Sequence, residues 1–246
     1  MALRTLAIIL SVIGLSFLYS CNEEGECVKN TGKVVKEDRA AIDFHYLEIY
    51  DNINVILTQD TMVHAITVEA GENLIAGITT EIDSGRLTLR NQNSCNWLRS
   101  FEVPVNVYLT FSKLDTIVFQ ASGDISCSNT WHNDSIYLNV VEGAGDINLR
   151  LNVARSTMHI RYGTVSLTVN GKSGVTFISS QGYGPVHAEE LLSKFTYVYT
   201  YSPNDVYVYA EEEIGVEIAN IGNVYCKGNP KEVSEINSST GRLIQY

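Results

Sequence analysis

A chain of 246 residues, 45% of them hydrophobic, is long enough and apolar enough to bury a core, which excludes a disordered polymer. Its 28 acidic residues against 17 basic ones give a formal charge of −11. That balance argues against nucleic acid as a partner and against electrostatic docking on anionic lipid, since both need a basic surface.

The first twenty residues read as a targeting segment. Arg4 is a minimal positive start, and Leu6 to Leu18 is an apolar run too short for a membrane span. It ends in Leu18-Tyr19-Ser20-Cys21, which resembles the bacterial lipobox. That resemblance implies cleavage before Cys21 and lipidation of its thiol, with several acyl chains anchoring the protein stably. An ordinary secretory peptide is the plain alternative. Residues 21–40 read as a lipidated polar tether, charged and aperiodic. Its acidic opening, Asn22-Glu23-Glu24-Gly25-Glu26, resembles the surface-export signal of Bacteroidetes lipoproteins. The expected location is therefore the outer membrane, at the cell surface, with a periplasm-facing arrangement as the alternative.

From Phe44 the pattern changes to strands. Leu47, Ile49, Ile53, Val55 and Leu57 alternate with polar neighbours, and His64 to Glu69 alternates again. Gly85-Arg86-Leu87-Thr88-Leu89 follows, then the polar loop of Asn91 to Asn96, then Val103 to Phe111 and Leu114 to Phe119.

A phrase then recurs: glycine or asparagine, a small or polar residue, an aliphatic, a polar residue, an apolar one. It starts at Gly123, Gly145, Gly163, Gly184, Asn204, Gly222 and Gly241, in steps of 22, 18, 21, 20, 18 and 19. A turn residue followed by strand alternation, repeated near every twenty residues, predicts an all-β solenoid, a β-helix-like stack of ~20-residue rungs over 41–246. Asn52 to Val55 and Gly85 to Leu89 echo the phrase at looser spacing, so the first half reads as an irregular start of the same stack. Ile125, Ile147, Val165, Val186, Val206, Val224 and Leu243 are expected to form one inward column. Cys127, Leu149, Leu167, Ala188, Val208 and Cys226 are expected to form a second. Ser126, Asn148, Ser166, His187, Tyr207, Tyr225 and Ile244 then face outward. Even the helix-favouring run Ala210 to Ile214 falls where a rung requires a strand.

These residues carry a family resemblance. The Gly-Asp-Ile phrases at Gly123 and Gly145, Val68-Glu69-Ala70-Gly71-Glu72-Asn73-Leu74, Gly85-Arg86-Leu87-Thr88-Leu89 and Gly228-Asn229-Pro230 resemble the head GIN domain of Bacteroidetes lipoproteins. That family is described as putative auto-transporter adhesins. The resemblance runs from about Phe44 to Tyr246. It implies a fold and an adhesive role, and it brings no catalytic residues.

The search for chemistry is short. Cys127 and Cys226 share a column five rungs apart, about 24 Å at roughly 4.8 Å per rung, far beyond disulfide reach. They read as small buried hydrophobes. Cys27 and Cys95 alone are free to meet as a disulfide. The five histidines are scattered, and no metalloprotease or serine-hydrolase motif is present. Asp124 and Asp146 occupy equivalent turn positions on adjacent rungs. Stacked carboxylates there suit Ca²⁺, but two supply too few oxygens, and turn chemistry explains them. No metal and no cofactor is expected. Asp60-Thr61-Met62, Asp115-Thr116-Ile117 and Asp134-Ser135-Ile136 resemble an O-glycan acceptor in Bacteroidetes, and strand starts explain them equally well.

Seven tyrosines lie between Tyr183 and Tyr225. Cross-strand packing accounts for most of them. His187, Tyr207 and Tyr225 nevertheless fall at one outward phase of consecutive rungs, with Tyr209 two residues along, and make the best candidate binding surface. The expected function is a non-enzymatic, lipid-anchored envelope protein that binds a glycan, an envelope protein or itself. The alternatives are a carbohydrate-active enzyme on a β-helix and a purely structural component. An outward column without Lys or Arg weighs against a lyase.

Overall fold

The computed structural model describes residues 30–93 and 103–246. All described strands join one continuous sheet wound into a β-solenoid. The N-terminal strands are β1 (Val34–Arg39), β2 (Tyr46–Asp51), β3 (Asn54–Gln59), β4 (Ala65–Gly71), β5 (Ile78–Asp83), β6 (Arg86–Asn91), β7 (Asn106–Phe111), β8 (Thr116–Ala121) and β9 (Ile125–Cys127). The regular rungs are β10 (Trp131–Gly143), β11 (Asp146–Ile160), β12 (Ser166–Ser180), β13 (Val186–Thr200), the pair β14 (Val206–Tyr209) and β15 (Glu213–Ile218), the pair β16 (Val224–Lys227) and β17 (Glu232–Asn237), and β18 (Leu243–Gln245). A single 3-10 turn at Ile75–Gly77 is the only helical element among the described residues.

Each rung has two faces joined at a corner. In β11 Ile147, Leu149, Leu151 and Val153 point inward; Ala154 and Arg155 are then both exposed, and Ser156, Met158 and Ile160 resume burial. Strict period-two alternation would put Ala154 out and Arg155 in. The lost step marks the bend. β11 and β12 pair in parallel through both faces, from Asp146 with Ser166 to Ile160 with Ser180.

The first face carries the recurring phrase, with one correction to its columns. Ile147 pairs with Leu167, not Val165, and Leu167 pairs with Val186. The column runs Ile125, Ile147, Leu167, Val186, Val206, Val224, Leu243. The second column is likewise joined by Val169 beside Leu149 rather than by Leu167. The outward position is Thr168, not Ser166, which lies opposite Asp146. The cause is a longer turn: Gly163 starts the phrase, but Ser166 N–H donates to Gly145 O, so strand register begins two residues late. A slip of two preserves the side-chain face. Val165 is still fully buried.

Gly163 is required where it stands. Its φ is +97°, and a Cβ there would collide with the carbonyl oxygen of Gly143 on the rung below. Stacked turns bring backbone against backbone, which only glycine tolerates at that φ.

The N-terminal half is not a simple continuation. β2 pairs in parallel with both β6 and β8, and β3 with both β7 and β9. The β2–β3 rung is therefore sandwiched between a rung made of β6 and β7 and one made of β8 and β9. Val55 joins the first-face column beside Ile125, whereas Leu87 pairs with Leu47 on the second face. The Gly85 phrase thus belongs to the opposite face from the phrase it echoes. β4 pairs antiparallel with β7 and β1, and β5 with β6.

A strand precedes residue 41. Val34–Arg39, read as tether from the sequence, is a strand whose six residues pair with β4. Glu69 fixes it in place by accepting hydrogen bonds from Asn106 Nδ2 (2.8 Å) and Tyr108 Oη (3.2 Å) while sitting 3.0 Å from Lys36 Nζ.

The core is largely aliphatic, with Phe44, Phe111, Phe119 and Trp131 packed into it, and buried hydroxyls cluster at the corner of the regular rungs. There Ser156 Oγ lies 3.1 Å from Ser173 Oγ and 3.0 Å from Thr176 Oγ1. Ser173 donates to Val175 O, Ser193 to Phe195 O and Thr196 to Tyr209 O. These corner hydroxyls are tolerated because each finds a partner, whereas Ser180 Oγ, buried at the far end of β12, has none. The last rung ends the core in polar residues. The inward column of Val198 and Val216 finishes in Glu235, and that of Thr200 and Ile218 in Asn237.

Candidate functional site

The outward residues of the first face stack as their register requires. His187 pairs with Tyr207, and Tyr207 with Tyr225. The His187 and Tyr207 rings lie 4.9 Å apart at 9°, and the Tyr207 and Tyr225 rings 4.9 Å apart at 11°. The separation is the rung spacing itself. Tyr246 closes the row edge-on against Tyr225 at 6.4 Å. His187 Nδ1 lies 3.3 Å from Glu189 Oε1. Tyr209 occupies the same strand as Tyr207 and pairs with Lys227, whose ammonium meets Glu190. The structure thus brings His187, Tyr207, Tyr209 and Tyr225 onto one surface. All four are half-buried, and desolvation raises the Tyr207 hydroxyl above its ordinary pKa.

Asp124 and Asp146 stack too, but as turn residues. Asp124 Oδ1 accepts the Asp146 backbone N–H at 2.8 Å, and Asn54 Oδ1 accepts that of Asp124 at 2.9 Å. Asp205 and Asn223 repeat the device: Asp205 Oδ1 accepts from Asn223 N–H, and Asn223 Oδ1 from Arg242 N–H. Among the described residues no group of three or more His, Cys, Asp or Glu is placed to hold a metal ion.

Cys226 is fully buried in its column, and burial pushes its thiol up to about 11. Cys127 is only half-buried, a correction to its reading as a core residue, because β9 ends at it and the chain leaves for an exposed loop. Both are free thiols. Cys21, Cys27 and Cys95 lie outside the described residues, so the lipidation and disulfide expectations do too. No described helix is long and apolar enough to cross a membrane. Of the glycan-acceptor triplets, Asp60 Oδ1 accepts the backbone N–H groups of Met62 and Val63 in an exposed turn, while Thr116 and Ser135 lie in strands.

Sequence reasoning missed a second surface. On the outward second face Phe177 pairs with Tyr197, and Tyr197 with Gly215. The Phe177 and Tyr197 rings stack at 5.0 Å and 20°. One position along, Tyr199 packs edge-on against Tyr201 at 4.8 Å, and the hydrogen bond between them leads the effects that push Tyr199 up to about 12. Where the aromatic row meets Gly215 it stops, and a depression of about 490 Å³ opens between Tyr197, Tyr199, Glu213, Glu217, Ser234 and Ile236. The signal available in the sequence was a glycine inside a strand with a glutamate two residues to either side.

Comparisons with known proteins agree with this architecture. Residues 43–230 match the family model described as "Putative auto-transporter adhesin, head GIN domain". A putative adhesin from Bacteroides fragilis superposes with a TM-score of 0.81 at 19% identity, over 87% of this chain and 97% of that one. A putative adhesin from Parabacteroides distasonis gives 0.67 at 17%, over 87% and 98%. A putative lipid binding protein from the same species also gives 0.67, at 13%, over 88% and 98%. At such identities the likeness is one of fold alone. No curated protein matches the chain. The chain belongs to the head GIN domain family of auto-transporter adhesin-like proteins.

Proposed function

We propose that this protein is a lipid-anchored component of the cell envelope that binds a glycan without transforming it, through the outward first face. The observation that carries the reading is the aligned row of His187, Tyr207 and Tyr225, spaced at 4.9 Å and nearly parallel. Stacked rings cover one another's faces, so the row presents edges and hydroxyls at fixed intervals. That is a rigid, amphipathic stripe with little rotamer entropy left to lose on binding. A linear polymer with regularly repeated hydroxyls is the ligand whose shape it fits. Membership of an adhesin family supports binding over catalysis.

A glycan array probed with the chain from residue 22 onward is the test. β1 must be retained, so a fragment beginning at residue 41 is unsuitable. Tyr207→Phe with Tyr225→Phe keeps the stack and removes two hydroxyls; binding should fall with the fold intact. Tyr207→Ala with Tyr225→Ala should abolish binding and cost about 1–2 kcal/mol in stability, since half-buried stacked pairs are lost. Binding unchanged in both variants would sink the assignment of this face. For the anchor, Cys21→Ser should move the protein from the membrane fraction to the soluble one. Peptide mapping without reductant should link Cys27 to Cys95, and neither to Cys226.

A further inference from the structure

We propose that the depression over Gly215 on the second face is a receptor for a cationic side chain, a guanidinium or ammonium group, carried by a partner protein. It is distinct from the first-face stripe.

The argument begins with what is missing. The outward column reads Thr157, Phe177, Tyr197, Gly215, Ser234. Every rung but one fills it with a side chain. Gly215 is not at positive φ, so its backbone would accept other residues. A Cβ there would lie 3.0 Å from Tyr197 Cδ1, so the space is bounded on one side by that ring. The glycine therefore serves the space rather than the chain's path.

The surroundings define what the space suits. Glu213 and Glu217 stand two residues to either side of Gly215 on the same outward face, each about 6.6 Å away along the strand. Both line the depression with Tyr197 and Tyr199. Burial first, and then the neighbouring Glu213 carboxylate, hold the Tyr197 hydroxyl above its ordinary pKa. An aromatic wall with two carboxylates and no Lys or Arg in the lining, where burial holds the one histidine, His159, below its ordinary pKa, is the environment that attracts a cation. The overall charge of −11 adds a favourable long-range field.

The same molecule shows the missing element supplied internally. Arg86 lies over the Tyr46 ring at 4.5 Å, Arg90 over Tyr50 at 3.7 Å and Lys36 over Tyr108 at 4.8 Å. Arg86 also meets Glu48 at 3.2 Å. There a ring, a carboxylate and a cation complete one another across neighbouring strands. At Gly215 the ring and the carboxylates are present and the cation is not. A guanidinium seated in the vacated rung would sit about 4.8 Å from Tyr197, at the long end of the 3.7–4.8 Å that those internal pairs span.

The test is an NMR titration of the whole chain from residue 22 with N-acetyl-arginine amide and with a tetra-arginine peptide. N-acetyl-glutamine amide and a neutral oligosaccharide are the controls. Arginine probes should shift the Tyr197 and Tyr199 ring signals, and the glutamine probe should not. Glu213→Gln with Glu217→Gln should weaken tetra-arginine at least tenfold. Gly215→Arg should place a cation in the space and abolish binding; its ring shifts should mimic those of the ligated protein. The idea is overturned if the double glutamine variant binds as tightly as the parent, or if the neutral oligosaccharide displaces the arginine probe and shifts the same rings without regard to charge. Loss of glycan binding at Tyr207 and Tyr225 leaves this test unaffected, because the two faces are mutated separately.

Discussion

Asp124 Oδ1 accepts the backbone N–H of Asp146 at 2.8 Å, joining the same turn on successive rungs. The carboxylate does locally what the ladder does elsewhere, supplying an acceptor to the first N–H of β11 at a point where β9 on the rung below has not yet begun. Asn54 does the same for Asp124.

This relationship predicts a modest, local cost. Asp124→Ala should destabilise the fold by about 1 kcal/mol, the usual worth of such a bond, whereas Asp124→Asn should cost less because its carbonyl oxygen still accepts. Calcium at millimolar concentration should leave the melting temperature of the parent unchanged. A rise of several degrees that Asp124→Asn removes would show that the turn column holds a metal after all.

The rung pattern was legible because turn glycines and inward aliphatics both leave a positive mark in the sequence. Alternation at the start of β12 survives its longer turn, since a slip of two residues, as at Val165 and Leu167, preserves the face. Three things were hidden. The sandwiching of β2 and β3 between later strands leaves no periodic trace, because each strand alternates alike whatever its neighbours. β1 was concealed by its composition: five of its six residues are charged or point to solvent, and only pairing with β4 orders them. The depression at Gly215 is an absence, and an absent side chain reads in a sequence as one more glycine. The stripe of His187, Tyr207 and Tyr225 was found because its members share a phase.

Glu69 joins three strands, and that makes the N-terminal edge pH-dependent. The hydrogen bond from Asn106, followed by that of Lys36, holds its carboxyl below the ordinary value of 4.5. A group whose folded pKa is depressed contributes stability above its unfolded pKa and loses it as pH falls through the folded value. Glu69→Gln should therefore be less stable than the parent at pH 7. The gap should close only as pH falls through that lowered value, where the folded parent becomes protonated too. Urea melts at pH 7 and pH 3 check this; an equal gap at both would show that shape, not charge, matters.

The two described thiols should be unreactive in the folded state. Only thiolate attacks an alkylating agent, and burial raises both Cys127 and Cys226, the latter to about 11. Iodoacetamide at pH 8 should leave Cys226 unmodified until denaturant is added, with Cys127, half-buried, reacting first as denaturant rises. Mass mapping of the labelled cysteines reads the order. Cys226→Ser should cost stability, because a hydroxyl would replace a desolvated thiol between apolar rungs, while Cys226→Ala or Val should be milder.

The last prediction concerns the edge at β17. Solenoids with an apolar final rung recruit another strand, since unpaired backbone and exposed aliphatics template growth. β17 carries both hazards: its paired edge is occupied by β15 alone, and Val233 and Ile236 are 50% and 62% exposed. The defence is Glu235. It continues the inward column above Val216, so its carboxylate lies across the mouth of the core. Oε1 there accepts from the Leu243 backbone N–H at 3.3 Å and from Asn237 Nδ2 at 3.4 Å, tying the second face to the first. A second copy stacked on this end would have to bury that charge without a cation to meet it, at a cost of several kcal/mol. Glu235→Val should remove the barrier and extend the apolar column by one rung. The variant is expected to self-associate in a concentration-dependent way, seen as dimers or longer species in sedimentation velocity, while the parent stays in one state over the same range. Glu235→Gln, polar but uncharged, should fall between the two. If Glu235→Val sediments as the parent does at every concentration, the end is protected by something other than this carboxylate, and Asn237 is the next residue to change.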